Sequence, residues 1–315
     1  MHGTAAADMI PDLVRLASRL PPPPLTRFAP APTGYLHLGH VVNAIYVWGT
    51  ARALGGRVLL RVEDHDRQRC RQEYEAALLD DLDWLGFEPD VYPTATFRAG
   101  RCDGRQSDRD THYRRAIETL AAQGLVYGCE CTRREIEAAS SGSGELRYPG
   151  TCRHRGLPLT DDVGWRLVLP DEQVTFDDAV HGSSTQTPAA QCGDVLLRDR
   201  LGNWTYQLAV AVDDLQHGVD LVVRGDDLFA STGRQILLGR LLGRNSPPVF
   251  LHHPLVMKSP TQKLSKSDGD TGVGDLRAAG WTPARVLGHA AHLAGIVDAA
   301  RQLTVEDLAA VFGRR

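Results

Sequence analysis

The stretch from Leu25 to Val62 constrains the fold of this chain more than any other. It begins with a β-like run, Leu25 to Ala29, and crosses a loop rich in Pro and Gly. Apolar residues at helical spacing follow, Val42, Ile45, Trp48 and Leu54, and the pattern stops at Gly55-Gly56. A second extended run, Arg57 to Val62, then leads into acidic residues. Strand, loop, helix and strand in this order make a βαβ unit, the start of a nucleotide-binding parallel sheet. Ligands of such sheets are expected beyond the carboxyl ends of the strands.

The rest of the chain fits around that unit. Helical patterning recurs from Glu73 to Leu85 and from His112 to Gly124. Between Cys129 and Leu197 the character changes to Gly, Ser and Thr with short irregular apolar runs, including a Ser/Gly stretch at 140–144 that reads as flexible. Regular α/β patterning returns with Trp204 to Val212, Asp220 to Val223 and a helix around Gln235 to Leu242. The expected division is a tail (1–24), the first half of an α/β catalytic domain (25–128), an inserted module (129–197), the second half (198–267) and a short helical C-terminal region (268–315). In the tail, Leu13, Leu16 and Leu20 form a short amphipathic stretch before four prolines, which favour an extended spacer.

Bulk properties narrow the function class. With 315 residues, 42% hydrophobic and 23% charged, the chain can bury the core of one large domain with an insert. Six cysteines, of which only Cys129 and Cys131 are close together, do not form a secreted disulfide framework and point to a reducing, cytoplasmic setting. Asp8 and Asp12 flank Ile10 and prolines follow, so the start does not read as a signal peptide; nor does any apolar run approach the roughly 20 residues of a membrane helix. The net charge of -4 means that an RNA partner would need a local basic face.

Two motifs carry the chemistry. Arg27 to His40 (RFAPAPTGYLHLGH) sits where strand becomes helix, so His37 and His40 can meet phosphates beside free backbone N–H groups, and Gly39 leaves room for a nucleotide base. Lys263-Leu264-Ser265-Lys266-Ser267 lies in a Gly/Ser/Asp-rich loop far along the chain, where its lysines can neutralise a triphosphate as pyrophosphate leaves. Taken singly, either pattern also fits a bland role: a structural pair of histidines near a helix start, or a solvated surface loop.

Together and in this order, the two motifs resemble the signatures of class I aminoacyl-tRNA synthetases, with Leu where Ile and Met are usual. Arg27 to Pro30, Leu60-Arg61-Val62-Glu63-Asp64, the Tyr206 to Asp214 stretch and Val223 to Asp227 are similar to the glutamyl branch, and within it to the glutamyl-queuosine tRNA(Asp) synthetases. The similarity runs from about Arg27 to Ser267. It implies a Rossmann-like catalytic domain, ATP with Mg²⁺, glutamate, and tRNA(Asp) carrying queuosine as acceptor, handled by a monomer that activates glutamate without needing tRNA. About fifty residues follow Ser267, too few for the helical anticodon-binding region of a full glutamyl-tRNA synthetase.

Glutamate carries two carboxylates and one ammonium, so its pocket needs two cationic groups and one anion. Arg27 and Arg224 meet the first need, with Arg27 favoured for the side-chain carboxylate, and Glu63 the second. The resemblance implies that Glu63 receives the amino group, that the Tyr206 hydroxyl donates within the same pocket, and that Ala29 belongs to it. Pairing of the arginines with Asp64 or Asp226 in structural salt bridges is the alternative. His37, Gly39, His40 and Lys266 would bind ATP, and His37, His40, Lys263 and Lys266 would carry catalysis.

Cys129 and Cys131, followed by Tyr148 and Cys152, offer three thiolates and a fourth polar ligand suited to tetrahedral Zn²⁺. Read from spacing, the fourth ligand is Tyr148 or His154, or there is no metal; the resemblance implies the Cys, Cys, Tyr, Cys set as a structural zinc site. Two other functions compete: a different nucleotidyl transferase of the same superfamily, and a catalytically silent paralogue that binds tRNA or protein.

Overall fold

A computed structural model describes residues 10–139, 145–259, 262–263 and 272–313, with 257–259 and 262–263 described for their backbone. The Ser/Gly stretch at 140–144 lies outside the described residues.

Six strands form the main sheet: β1 (Leu25–Phe28), β2 (Arg57–Leu60), β5 (Val174–Asp178), β6 (Gly182–Gln186), β8 (Leu221–Gly225) and β9 (Val249–His253), in the order β2-β1-β8-β9-β5-β6. Every pairing is parallel except the β5–β6 hairpin at the edge. The central strands are buried along nearly their whole length because both faces are covered, their polar residues Thr26, Arg27, Arg224, His252 and His253 included. Alternate side chains serve opposite faces. Leu221, Val223 and Leu251 join one core with Trp48, Leu79 and Leu287, while Val222 and Phe250 join another with Tyr113, Leu208 and Ile236. The fold is thus α/β, a Rossmann-like parallel sheet between helical layers.

The helix Leu38–Ala53 is buried along most of its length, which is why its pattern is apolar all round after the first turn. Against it packs the helix Asp307–Phe312, with the Phe312 ring seated where a Cβ on Gly49 would lie 2.4 Å away. Ahead of β1, the short helix Leu13–Ala17 is capped by Asp12, whose carboxylate accepts the N–H groups of Val14 (3.0 Å) and Arg15 (3.1 Å). Leu13 and Leu16 are buried in the main core, so this part of the expected tail is docked.

A second, antiparallel sheet holds β3 (Val126–Cys129), β4 (Gly164–Leu167) and β7 (Val195–Arg198), in the order β3-β4-β7. Residues 129–197 therefore serve two sheets: β4 and β7 build the small one, while β5 and β6 extend the main one. The strands β10 (Met257–Ser259) and β11 (Gln262–Lys263) form a short antiparallel pair after β9.

Candidate active site

The carboxyl ends of β1, β2, β8 and β9 open into one cleft of about 840 Å³. Its wall includes Arg27, Ala29, His37, Gly39, His40, Glu63, Tyr206 and Arg224, which sequence reasoning singled out from four separate segments. Lys263 is described through its backbone in β11, and Lys266 lies outside the described residues.

His37 caps the helix Leu38–Ala53. Its Nδ1 accepts the N–H of Gly39 at 3.1 Å, and Nδ1 of His40 accepts the N–H of His37 at 3.2 Å. The two rings sit 4.0 Å apart. Because each Nδ1 serves as acceptor, the proton of each neutral ring resides on Nε2, a donor form suited to phosphate oxygens. A Cβ on Gly39 would lie 2.9 Å from Cε1 of His37, so the glycine accommodates that ring, a tighter reason than the space for a base inferred from the sequence.

Below the histidines lies a buried ionic network. Arg61, fully enclosed, bonds Glu63 Oε1 (2.8 Å) and Asp214 Oδ1 (2.5 Å). Arg27 shares Asp214 (3.3 Å) and donates to the Val223 carbonyl (3.1 Å). Burial alone would raise the Asp214 carboxyl, but the guanidinium groups of Arg61 and Arg27 hold it at about 2. Neighbouring Asp213 accepts from Arg109 (2.7 Å), Gln106 (2.8 Å) and Tyr113 (3.0 Å). Both bonds from Arg61 to Glu63 fall on Oε1, which orients that carboxylate at the cleft wall.

Arg224 differs. Its three hydrogen bonds go to neutral acceptors: Nε to His252 Nε2 (2.9 Å), one terminal nitrogen to Gln235 Oε1 (2.6 Å) and the other to Thr232 Oγ1 (3.0 Å). Among the described residues it makes no salt bridge, and burial holds its guanidinium below the ordinary value. The expected alternative partners are engaged elsewhere, Asp64 with the Ser107 N–H (2.7 Å) and Asp226 with His181 (2.6 Å). Asp214, Arg61, His252 and Gln235 were not singled out from the sequence; the available signal for the first two was their place inside the motif stretches Leu60 to Asp64 and Tyr206 to Asp214, and local pattern offered none for the others.

At the end of β3 the sulfurs of Cys129, Cys131 and Cys152 all lie within 4.8 Å of one another. The Tyr148 hydroxyl is 3.3 Å from Cys129 Sγ and 3.8 Å from Cys131 Sγ, and Cys131 and Cys152 Sγ are 3.6 Å apart. Sulfur ligands about 2.3 Å from a tetrahedral zinc are separated by roughly 3.8 Å, so the three thiols fit such a site. His154 is not part of the cluster. Arg166 donates to Cys129 Sγ (3.2 Å) and stacks 3.7 Å over the Tyr148 ring. The core around it is small, Tyr127, Ile136 and Tyr148 beside the thiols.

Comparison with known proteins agrees with this architecture. The sequence profile of tRNA synthetases class I (E and Q), catalytic domain, matches residues 25–307. The chain is 41% identical over 299 residues to a glutamyl-Q tRNA(Asp) synthetase of Symbiobacterium thermophilum, covering 91% of each chain. It is 40% identical to that of Rhodobacter capsulatus, covering 83% of this chain and 98% of the relative. A solved glutamate tRNA ligase of Elizabethkingia meningosepticum superposes with a TM-score of 0.74 at 25% identity, over 91% of this chain and 64% of that one, so this chain spans less than two thirds of the ligase. The chain belongs to the class I tRNA synthetases (E and Q) and, among them, to the glutamyl-Q tRNA(Asp) synthetase family.

Proposed function

We propose that this protein activates glutamate with ATP and joins it to the queuosine base of tRNA(Asp). The observation that carries the reading is Arg224: a buried cation held by neutral acceptors, facing a cleft that also contains Arg27, Glu63 and Tyr206. A buried charge without a counter-ion is costly, and a carboxylate ligand relieves that cost. Arg27 and Arg224 would take the two carboxylates of glutamate, with Arg27 on the side chain. Glu63, turned by Arg61, would take the ammonium, Tyr206 would donate its hydroxyl, and Ala29 would line the pocket.

An oxygen of the α-carboxylate attacks the α-phosphorus of ATP in line. A new O–P bond forms, the bond to the bridging oxygen breaks, and pyrophosphate departs; Mg²⁺ accompanying ATP would offset part of its charge. A nucleophilic group on the queuosine base then attacks the activated carbonyl: its bond to the carbonyl carbon forms, the bond from that carbon to AMP breaks, AMP leaves and the nucleophile's proton passes to solvent. Positioning and charge stabilisation supply the acceleration. His37 and His40 donate from Nε2 at the helix N-terminus, Gly39 lets the backbone approach ATP, and Lys263 and Lys266 offset charge on the leaving group.

In this reading Cys129, Cys131, Cys152 and Tyr148 hold a structural Zn²⁺, which would tie together a region with little core of its own. All six cysteines are free thiols, which supports a reducing, cytoplasmic setting, and no described helix is long and apolar enough to cross a membrane. The test is glutamate-dependent pyrophosphate exchange, followed by transfer of labelled glutamate to tRNA(Asp) with and without queuosine. Exchange with glutamate and label in the queuosine-bearing RNA are the expected results; no exchange with glutamate overturns the reading.

A further inference from the structure

Behind the cleft wall, Arg224 leans on a histidine that no part of the reaction uses directly. His252, near the carboxyl end of β9, is fully buried. A guanidinium only donates hydrogen bonds, so the His252 Nε2 that faces Arg224 Nε carries a lone pair. The ring proton is therefore on Nδ1, and it is donated to Asp178 Oδ2 at 2.7 Å. Asp178 is anchored in turn: Oδ1 accepts the N–H groups of Val180 (2.9 Å) and His181 (3.0 Å), and Oδ2 also accepts the His252 N–H (3.2 Å). Phe250 and Phe229 enclose the ring, their centroids 6.0 and 5.1 Å away.

The carboxylate of this line belongs to the β5–β6 hairpin, which also fixes the other acceptors of Arg224. Gln186, at the end of β6, accepts the Gly233 N–H (2.8 Å) and donates to the Phe229 carbonyl (2.9 Å). Those bonds set the first turn of the helix Thr232–Leu241, from which Thr232 and Gln235 reach Arg224. Three acceptors, one per nitrogen, determine the plane of the guanidinium.

We propose that His252, oriented by Asp178, is a positioning residue for recognition of the substrate carboxylate: it holds Arg224 by Nε and presents the terminal nitrogens to the ligand. The inference rests on the reading of Arg224 as a carboxylate-binding group. A neutral imidazole is suited to the task because it fixes geometry without placing a negative charge against the arginine. A carboxylate in direct contact would compete with the substrate for the same cation.

The experiment is glutamate-dependent pyrophosphate exchange by His252→Phe, His252→Gln and Asp178→Ala, each beside the wild-type protein. Phe preserves a planar ring but removes the acceptor; Gln retains an acceptor oxygen. The glutamate KM of His252→Phe is expected to rise roughly 10- to 100-fold, the worth of one hydrogen bond to a charged group. The KM for ATP should stay within about 2-fold, inside the scatter of interactions the change does not touch. His252→Gln should recover most of the glutamate KM. Equal losses in the Phe and Gln variants, or an ATP KM that moves as far as that for glutamate, overturn the proposal. Should His252→Phe fail to fold, Asp178→Ala decides, because it frees the tautomer while leaving His252 and Arg224 in place; an unchanged glutamate KM there is the overturning result. Absence of exchange in the wild-type protein removes the Arg224 reading itself, whereas active wild type with indifferent variants removes only the role of His252.

Discussion

Arg224 concentrates the chemistry of the pocket in one side chain. Its bonds to His252, Gln235 and Thr232 use all three nitrogens, a geometry that an ammonium cannot reproduce. Arg224→Lys should therefore raise the glutamate KM on the order of 100-fold, the scale of a lost charge-assisted pair. The same variant should lose the rise in Tm that glutamate gives the wild-type protein; a retained shift would show that the carboxylate binds elsewhere. Lys266→Ala should reduce adenylate formation by orders of magnitude with the fold intact, as read by exchange and circular dichroism. A second residue predicts how the protein responds to acid. His217 is pushed down to about 4, first by burial and then by Arg109 and Arg61, against the opposing pull of Asp213 and Asp103, and its Nδ1 is buried without a partner among the described residues. Unfolded, it would titrate near 6.5, so below that pH the unfolded chain binds a proton that the native one refuses. Stability should fall as pH drops from 6.5 to 4, by on the order of 3 kcal/mol from this group. His253, also lowered to about 4 by burial, acts with the same sign. Urea midpoints at pH 7.5 and 5 should converge in His217→Gln relative to the wild type, and an unchanged difference would discount the group.

At the scale of elements, two junctions hold the site in place. The helix Leu38–Ala53 presents the capping histidines at one end and receives Phe312 at Gly49 near the other. Gly49→Ala drives a methyl into that ring and should destabilise the protein by about 1–3 kcal/mol, the range of an overpacked core. A shift in the denaturation midpoint with unchanged slope is the measurement, and it should leave the glutamate KM untouched. The second junction is the metal-capable cluster. Asp194, buried at the start of β7, accepts from Tyr127 (2.6 Å), Arg153 and the Leu169 N–H (3.1 Å), binding the small sheet to the segment that carries Cys152. Metal analysis should find one zinc per chain, and Cys131→Ser should fall well below that and open the 145–157 segment to protease. A wild-type protein with far less than one zinc would leave Arg166 and Asp194 as the organisers of this region.

For the whole molecule, the parallel sheet places residues distant in sequence at one set of strand ends, and the comparisons extend across nearly all of it. How much of this was legible beforehand depended on range. The unit from Leu25 to Leu60 was readable because its strand runs, its Pro/Gly-rich turn and its helix stop are local, and the motif residues Arg27, His37, His40, Glu63, Tyr206 and Arg224 stand in recognisable order. The edge hairpin β5–β6 was not, since β5 is only five residues long and the polar β6 becomes strand by pairing with it. The histidine behind Arg224 was equally hidden: Asp178 and His252 lie 74 positions apart, and nothing near either one announces the other. Local pattern and residue chemistry thus pointed to the groups that line the cleft of this protein. Tertiary packing alone decided that Arg27 shares the carboxylate of Asp214 while Arg224 is held by neutral acceptors, because burial and counter-ion distance exist only once the strands are side by side.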